Sequence, residues 1–356
     1  MDFYLNNQET EYRTMVTNYA REVLSVERDR IDGQGELQEG DISNLVTAGL
    51  WGEHFFTNTN WTTKVTTLIE LAKESPSLAG FLVDSLAAAS LCSNESGQDR
   101  TVLALVEEQA GSDFQSMSTV ASRTSDGWVI NGDKCFVTNA SITSAFVVFA
   151  KVDNKPAVFV VESRTPGVAI QSEQSKMGLN GLRFFNVSFQ NVAVPETAYV
   201  AVESEEVMQK VFSYLALGMG ALSIGIAEAA FNLALDRARA RQQFGKPIGD
   251  NQAVQFMVAK MVVKINAAKS MLYRATQRLD VGEAPGASAN AAKLMASEAC
   301  RDVVHHALQI YGGHGLLSEH RISQLYQDQR ITELFGGTSE TQRNAISKYV
   351  IEELYA

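Results

Sequence analysis

Apolar residues recur at intervals of three and four over roughly the first hundred residues, with charged residues between them. This spacing is typical of amphipathic helices that bury one face. The segment at 77–91 differs, because small apolar residues occupy almost all of it and indicate a buried helix. The pattern predicts helices at 11–28, at 42–50 with Asp41 as the cap, at 65–73 and at 77–91.

Between about residues 104 and 200 the pattern changes to short β-branched and aromatic runs bounded by turn residues. Such runs lie at 145–150 and 157–161, and residues 185–189 alternate with period two. Asn131-Gly132 is interpreted as a turn that ends a strand. A β region of roughly ninety residues is too short for a doubly wound sheet, so we predict a small barrel or sandwich.

The helical pattern returns from about residue 204 to the end of the chain. It predicts helices at 205–242, 248–280, 288–311, 318–328 and 339–354, the last opened by a capping box of Ser339 and Gln342. Long helices with short connections form bundles. The predicted fold class is therefore α+β, with an N-terminal helical domain at 1–102, a middle β-barrel or sandwich domain at 103–202, and a C-terminal four-helix bundle at 203–356.

Composition and charge narrow the classes of partner. The 356 residues include 30 Lys and Arg against 41 Asp and Glu, a formal charge of -11, which argues against nucleic acid. No uncharged apolar run is long enough for a membrane span, and residues 1–7 do not resemble a signal peptide. Cys92, Cys135 and Cys300 are too few and scattered for a disulfide framework or a zinc site. We therefore expect a cytoplasmic protein with reduced, buried thiols.

Four segments contain residue types that bind phosphates or heterocycles. Arg241 can place a guanidinium on a phosphate, the Gly-Gly pairs can offer free N–H groups, and Thr138 can bond a ring nitrogen. Taken singly, each has a simpler explanation as a turn, a helix-dipole charge or a strand former. The segments are 108–113 with 131–139, 239–248, 309–315 and 335–343.

Together these segments identify a family. RxxFGK at 241–246, QxYGGxG at 309–315 and GTSExxR at 337–343, in this order, resemble the acyl-CoA dehydrogenases. The resemblance extends from about residue 10 to the end of the chain. It implies a flavoprotein with FAD between a β domain and a four-helix bundle. It also implies a homodimer or homotetramer in which a neighbouring subunit's bundle completes the site.

The resemblance also implies roles for single residues. Val106, Phe136 and Thr138 would surround the isoalloxazine ring, with Thr138 near its N5. Val106 replaces a threonine that is usual there. Ser112 would bind the cofactor and touch the pantetheine arm of the thioester. The nucleotide part of FAD would be contacted by Arg241, Phe244, Asn251 and Gln252, by Gln309, Gly312 and Gly313 of the partner subunit, and by Thr338, Ser339 and Glu340.

The catalytic base of the family is missing. Its glutamate usually stands immediately before the Gly-Thr-Ser, where this chain has Gly336, and the alternative position in other members corresponds to Leu215. Nearby Glu107, Glu108, Glu333 and His314 give no convincing replacement, and Glu333 is predicted to be a solvated helix charge. The catalytic residue therefore stays unassigned.

The chain is also short before Glu107, where only 93–105 remains of a longer family segment. A short, base-less chain resembles the variants of polyketide and nonribosomal peptide pathways, which act on acyl carrier proteins in secondary metabolism and make hydroxy-, methoxy- or aminomalonyl extender units. A proton that leaves oxygen or nitrogen needs a weaker base than one on carbon.

These features favour FAD-dependent oxidation of a hydroxy- or aminoacyl thioester, with hydride transfer to flavin N5. The alternatives are a flavin monooxygenase or oxidase on the same fold and a thioester-binding relative without catalysis. Two questions stay open. The acyl group can be carried by a carrier protein or by CoA, and the redox partner can be an electron-transfer flavoprotein or oxygen.

Overall fold

The computed structural model of the chain describes residues 5–92, 100–200, 205–284 and 287–354. Helices are followed by a β sheet and then by helices again, and the predicted α+β fold class is confirmed. The shortened segment around 93–99 and the expected boundary near residue 203 lie outside the described residues.

Among the described residues, five α-helices and three short π-helical segments form the N-terminal part. Ser75 caps the fifth helix and Pro76 opens it, an arrangement that suits the free N–H groups of a first turn. The predicted cap at Asp41 is wrong by three residues, because α3 is capped by Gln38. The Gln38 N–H donates to the Asp41 carboxylate at 2.8 Å. The helices are α1 (Asn7–Tyr19), α2 (Ser25–Arg28), α3 (Glu39–Thr47), α4 (Trp61–Glu74) and α5 (Pro76–Ala89).

Eight strands form one sheet in the order β6-β7-β3-β2-β4-β5-β8, with β1 parallel to β4. The predicted turn at Asn131-Gly132 is wrong, because β3 continues through it with a register shift. Gly132 is required there, since a Cβ would lie 2.3 Å from the Thr119 hydroxyl. The strands are β1 (Thr101–Ala104), β2 (Val120–Thr124), β3 (Gly127–Thr138), β4 (Ala145–Val152), β5 (Lys155–Glu162), β6 (Val168–Gln174), β7 (Phe184–Val194) and β8 (Tyr199–Val200).

The C-terminal part is a helical bundle in which α8 packs against α6, α7 and α10. Thr338, rather than the predicted Ser339, caps the last helix. The elements are α6 (Glu205–Ala240), a hairpin of β9 (Gln242–Gln243) and β10 (Lys246–Pro247), α7 (Gln252–Asp280), α8 (Ala287–Tyr311), α9 (Arg321–Thr332) and α10 (Ser339–Tyr349).

Helix α6 joins the bundle to the N-terminal helices. A Cβ at Gly218 would lie 2.6 Å from Val83 on α5, and one at Gly225 would lie 2.5 Å from Ala72 on α4. Glycine therefore allows close helix packing here. Among the described residues, α6 has the length and hydropathy of a membrane span, but 83% of its most apolar window is buried in the protein.

None of the three cysteines forms a disulfide bond, and only Cys300 is buried. Cys92 and Cys135 are partly exposed, so the expectation of three buried thiols is corrected.

Candidate functional site

The end of β3 points an aromatic ring away from the sheet. A bulge between Lys134 and Val137 puts Phe136 in the left-handed region at φ 55°, and its ring is 47% exposed. The Phe136 N–H donates to the Gln174 side chain at 3.3 Å, and the Cys135 N–H donates to the Val106 carbonyl at 2.9 Å. Bulges re-aim side chains next to binding sites. The bulge therefore brings the 105–112 loop and an accessible aromatic ring to one sheet end.

A row of three aromatic rings connects this sheet end to the C-terminal bundle. Phe136 packs edge-on against Phe184, and Phe184 stacks on Phe335, with centroids 6.0 Å apart in both pairs. Phe335 immediately precedes the Gly336-Gly337 turn. Two of the four predicted segments therefore border the same cleft between sheet and bundle.

The two possible positions of the catalytic base are neighbours in space. Gly336 has φ 66°, and a Cβ built on it would lie 3.6 Å from the Leu215 Cβ and 2.9 Å from the Met219 Cγ. Leu215 is buried. The place where either glutamate would enter the cleft is therefore lined by glycine, leucine and methionine.

Side chains from two helices hold the Gly336-Gly337 turn. Lys293 of α8 donates to the Gly337 carbonyl at 2.6 Å, and Gln342 of α10 donates to the Gly336 carbonyl at 3.0 Å. Burial lowers the pKa of Lys293 to about 8. Lys293 therefore supports the turn with its ammonium group.

The start of α10 follows this turn. Thr338 accepts a hydrogen bond from the Thr341 N–H at 3.2 Å, and Glu340 is exposed in the first turn. The Ser339 hydroxyl is buried and has no partner among the described residues. An unpartnered hydroxyl at a helix N-terminus suits a polar ligand.

A second group of predicted residues surrounds the β9–β10 hairpin. Phe244 and Gly245 form its tip at φ 53° and 76°, and the Phe244 ring is 97% exposed. Asn251 donates from its side chain to the Ile248 carbonyl at 3.1 Å, and Arg241 and Gln252 are exposed. The hairpin thus carries an exposed aromatic ring at its tip, and an exposed arginine immediately precedes its first strand. An aromatic ring can stack on an adenine, and a guanidinium can bind a phosphate.

The end of α8 lies beside this hairpin. Arg237, near the end of α6, stacks over the Tyr311 ring at 5.4 Å. Gln309, Gly312 and Gly313 are exposed there, and a Cβ at either glycine would meet nothing within 4 Å.

The two groups lie far apart in one chain. Helix α6 rises about 1.5 Å per residue, so its end at Ala240 is roughly 38 Å from Leu215. One extended dinucleotide does not bridge that distance. Within a single chain, the structure therefore does not bring Arg241, Phe244, Asn251 and Gln252 together with the predicted residues at the sheet end.

Of the residues considered as replacement bases, Glu107 is bound firmly within the protein. Glu107 is buried and accepts from Lys134 at 2.7 Å and from the amides and hydroxyls of Ser118 and Thr119. Burial raises the pKa of Glu107, but these donors outweigh it and lower the value to about 2. Its role is to fix the 105–112 loop to β3. Glu108 and His314 are exposed.

The prediction for Glu333 is wrong. Its side chain is 6% exposed and bonds Arg301 at 3.0 Å and Arg330 at 2.9 Å. The sequence showed a charge near a helix end, and only the packing of α8 against α9 buries it.

One acid at the site was missed by the sequence analysis. Asp84 of α5 is 2% exposed and accepts from the Thr138 hydroxyl at 2.6 Å and from the Leu103 N–H at 3.2 Å. Burial raises the pKa of Asp84 to about 7. The signal was present, because Asp84 is the single charge inside the apolar run at 77–91.

The cleft fits a flat heterocycle. It combines the accessible Phe136 ring and the unpartnered Ser339 hydroxyl with the Thr138 hydroxyl, which is buried and donates to Asp84. A flavin needs an apolar wall and a few hydrogen-bonding groups at its edge, and these residues provide both.

Comparison with known proteins agrees with this arrangement. The family model described as acyl-CoA dehydrogenase, middle domain, matches residues 102–192, and the C-terminal domain model matches residues 206–351. A 3-(aryl)acrylate reductase of Clostridium sporogenes is 35% identical over 72% of this chain and 70% of its own length. The caffeyl-CoA reductase-Etf complex subunit CarC of Acetobacterium woodii is 33% identical over 72% of this chain and 70% of its own.

A solved structure extends the similarity to almost the entire chain. The butyryl-CoA dehydrogenase of Megasphaera elsdenii superposes with a TM-score of 0.93 at 25% identity, covering 99% of this chain and all of its own.

Proposed function

Since the chain belongs to the acyl-CoA dehydrogenase family, whose members are FAD-dependent oxidoreductases of acyl thioesters, we propose that it oxidises a hydroxy- or aminoacyl group held on an acyl carrier protein. One observation carries the proposal. Gly336 and Leu215, the two positions at which members place the basic glutamate, lie against each other and neither has a carboxylate.

The missing carboxylate limits which proton the site can remove. Removing a proton from the α-carbon of a thioester requires a strong, well-placed base, and the apolar lining of Gly336, Leu215 and Met219 does not supply one. When the oxidised carbon bears a hydroxyl or an amine, the proton leaves from oxygen or nitrogen. A proton on a hydroxyl or on a protonated amine is more acidic than one on the α-carbon, so a weaker acceptor suffices.

The cofactor would lie in the cleft between sheet and bundle. Bound FAD supplies the hydride acceptor of the reaction. Phe136 would cover the ring system, Val106 would offer backbone groups to its edge, and the Thr138 hydroxyl would bond the edge near N5. Thr338 and Glu340 would lie over the nucleotide at the start of α10. Ser112, which is exposed on the loop, would meet the cofactor and the pantetheine arm.

The substrate carbonyl also needs polarisation. A backbone N–H at Gly336 stays available there although the residue has no side chain, and Lys293 and Gln342 hold its turn in place. A fixed N–H donor costs no reorganisation during the reaction.

The comparisons support one of the two possible electron acceptors. One relative is named as a subunit of a reductase-Etf complex, which supports an electron-transfer flavoprotein as the redox partner here. Extender-unit biosynthesis in the cytoplasm is the proposed context.

The test is an anaerobic titration of the yellow protein followed by absorbance. Hydroxyacyl and aminoacyl carrier proteins should bleach the flavin, whereas the corresponding CoA thioesters should act weakly and plain acyl-CoAs not at all. Bleaching by plain acyl-CoAs alone would contradict the proposal. Turnover that needs an external reductase and oxygen would indicate a monooxygenase, and a protein unable to bind FAD would indicate a thioester-binding role.

Gly336→Glu is the matched variant. It adds a carboxylate at the family's usual position, although the left-handed backbone and Met219 oppose a side chain there. The heteroatom substrates should be oxidised without this carboxylate. If only Gly336→Glu oxidised the native substrate, the proposal would fail.

A further inference from the structure

Asp84 is a buried acid that bonds Thr138, the residue proposed to lie at the flavin edge. No part of the proposed mechanism uses it. It lies on α5, in a helix that is otherwise apolar or hydroxylic and is buried along its length. Its Oδ2 atom bonds both the Thr138 hydroxyl, at the end of β3, and the Leu103 N–H, on β1. Three elements that border the cleft therefore meet at one carboxylate oxygen.

A hydroxyl has one proton to give, so the bond from Thr138 to Asp84 determines what the cleft receives. While Asp84 is ionised, Thr138 donates to it and presents only its oxygen, an acceptor, toward the cleft. When Asp84 is protonated, it donates to Thr138, and the Thr138 proton is released to point into the cleft.

We propose that Asp84 is a positioning residue for the cofactor, and that its protonation state decides whether the Thr138 hydroxyl is a donor or an acceptor at the flavin edge. This inference rests on the proposed placement of FAD beside Thr138.

The surroundings of Asp84 support a transition near neutral pH. Its pKa is raised to about 7 by burial, against the lowering effect of Thr138 and Leu103. Strand β1 and residues 215–222 of α6 have no ionisable side chain. The ionisable groups on the other packed elements have partners of their own: Asp32 with the Ser77 N–H, Lys64 with the Phe56 carbonyl, Lys73 with Glu70, and Lys134 with Glu107.

The test follows the visible spectrum of the oxidised holoprotein from about pH 5 to about pH 9, two units on either side of the pKa of Asp84. Wild type should show one spectral step with a midpoint near pH 7, because the hydrogen bond to the flavin edge changes there. Asp84→Asn should lose the step at every pH, since its amide does not titrate and its oxygen goes on accepting from the Leu103 N–H and the Thr138 hydroxyl. Thr138→Val should also lose the step, although Asp84 is intact.

Asp328→Asn is the matched control. Asp328 is another fully buried carboxyl with a raised pKa of about 8, but it bonds the Leu179 N–H and not Thr138. This variant should keep the step. Infrared spectra of the apoprotein should show a carboxyl that titrates near pH 7 and is absent in Asp84→Asn, which measures the proton without the flavin.

The outcomes separate the two proposals. A yellow protein that thioesters bleach, with a step unchanged in Asp84→Asn, would overturn this inference and leave the proposed function intact. A step lost in Asp328→Asn but kept in Thr138→Val would overturn it as well. Failure to bind FAD would overturn both.

Discussion

At the scale of the residue, Gly336 shows how one position can define a chemical class. Its left-handed backbone and its contact with Met219 leave little room for any side chain. A residue with a side chain would be strained there for two reasons. Its backbone would have φ 66°, and its Cβ would lie 2.9 Å from the Met219 Cγ. The missing glutamate is thus built into the local conformation of the turn.

We expect Gly336→Ala to lower the free energy of unfolding by about 1–3 kcal/mol, from the left-handed backbone and the crowded Cβ. Gly245→Ala is the control, because it has φ 76° with nothing near its Cβ and should show only the backbone part. Denaturant unfolding measures both. Equal stability of Gly336→Ala and wild type would show that the turn relaxes without cost.

The buried pair of Glu107 and Lys134 makes a prediction about pH. Breaking a buried pair costs about 3–5 kcal/mol, so Glu107→Gln should destabilise the fold by that order at neutral pH. The pKa of Glu107 is lowered from 4.5 to about 2, so its stabilisation is present above about pH 4.5 and lost as the pH falls toward 2. The difference between variant and wild type should therefore shrink in acid.

Unfolding curves across that pH range provide the measurement. Glu196→Gln, in the exposed pair with Arg123, should change stability by less than about 1 kcal/mol at any pH. A Glu107→Gln effect independent of pH would contradict the assignment.

At the scale of the element, the β9–β10 hairpin presents a large ring to solvent without packing it. Such an exposed phenylalanine adds nothing to the fold of one chain. Phe244 also has a left-handed backbone at the hairpin tip, and strained backbone together with an exposed ring favours a binding role.

We expect Phe244→Ala to leave stability within about 0.5 kcal/mol of wild type and to weaken FAD binding about tenfold, the scale of one stacked base. Phe244→Tyr keeps the ring and should bind FAD normally. Flavin release during dialysis, followed by fluorescence, compares the variants. Unchanged FAD binding by Phe244→Ala would exclude the ring from the cofactor site.

At the scale of the whole molecule, the proposed FAD residues form two groups at opposite ends of a long stretch of α6. The sheet end with the Gly336 turn is roughly 38 Å from the hairpin and the end of α8. A complete FAD site of the proposed kind therefore needs the hairpin end of a second copy. An exposed apolar face on α7, which includes Phe256 and Val263, offers a surface for association.

We expect Val263→Glu to dissociate the oligomer and to release FAD, because a charge at an apolar contact is costly. Light scattering coupled to flavin absorbance measures both effects. Asn44→Glu, which adds the same charge to exposed α3, should alter neither. A monomeric wild type that retains FAD would refute the shared site.

The sequence by itself determined the order of the fold, because helical spacing and β-branched runs depend on local chain physics and persist over long segments. The sequence also showed that the family's glutamate is missing at Gly336, since a side chain absent from the sequence is absent from any fold. Short-range features failed where tertiary contacts overrode them, as at Asn131-Gly132, which lies in a bulged strand and not in a turn.

Only the tertiary structure decided which charges are buried and which residues meet. Glu333 and Glu107 became engaged ion pairs, and Asp84 came to lie against Thr138, through packing between elements that are distant in sequence. Burial and long-range pairing have no local signature. The RxxFGK segment could be recognised because it is a local pattern. Its distance from the proposed flavin residues of its own chain could not be predicted for the same reason.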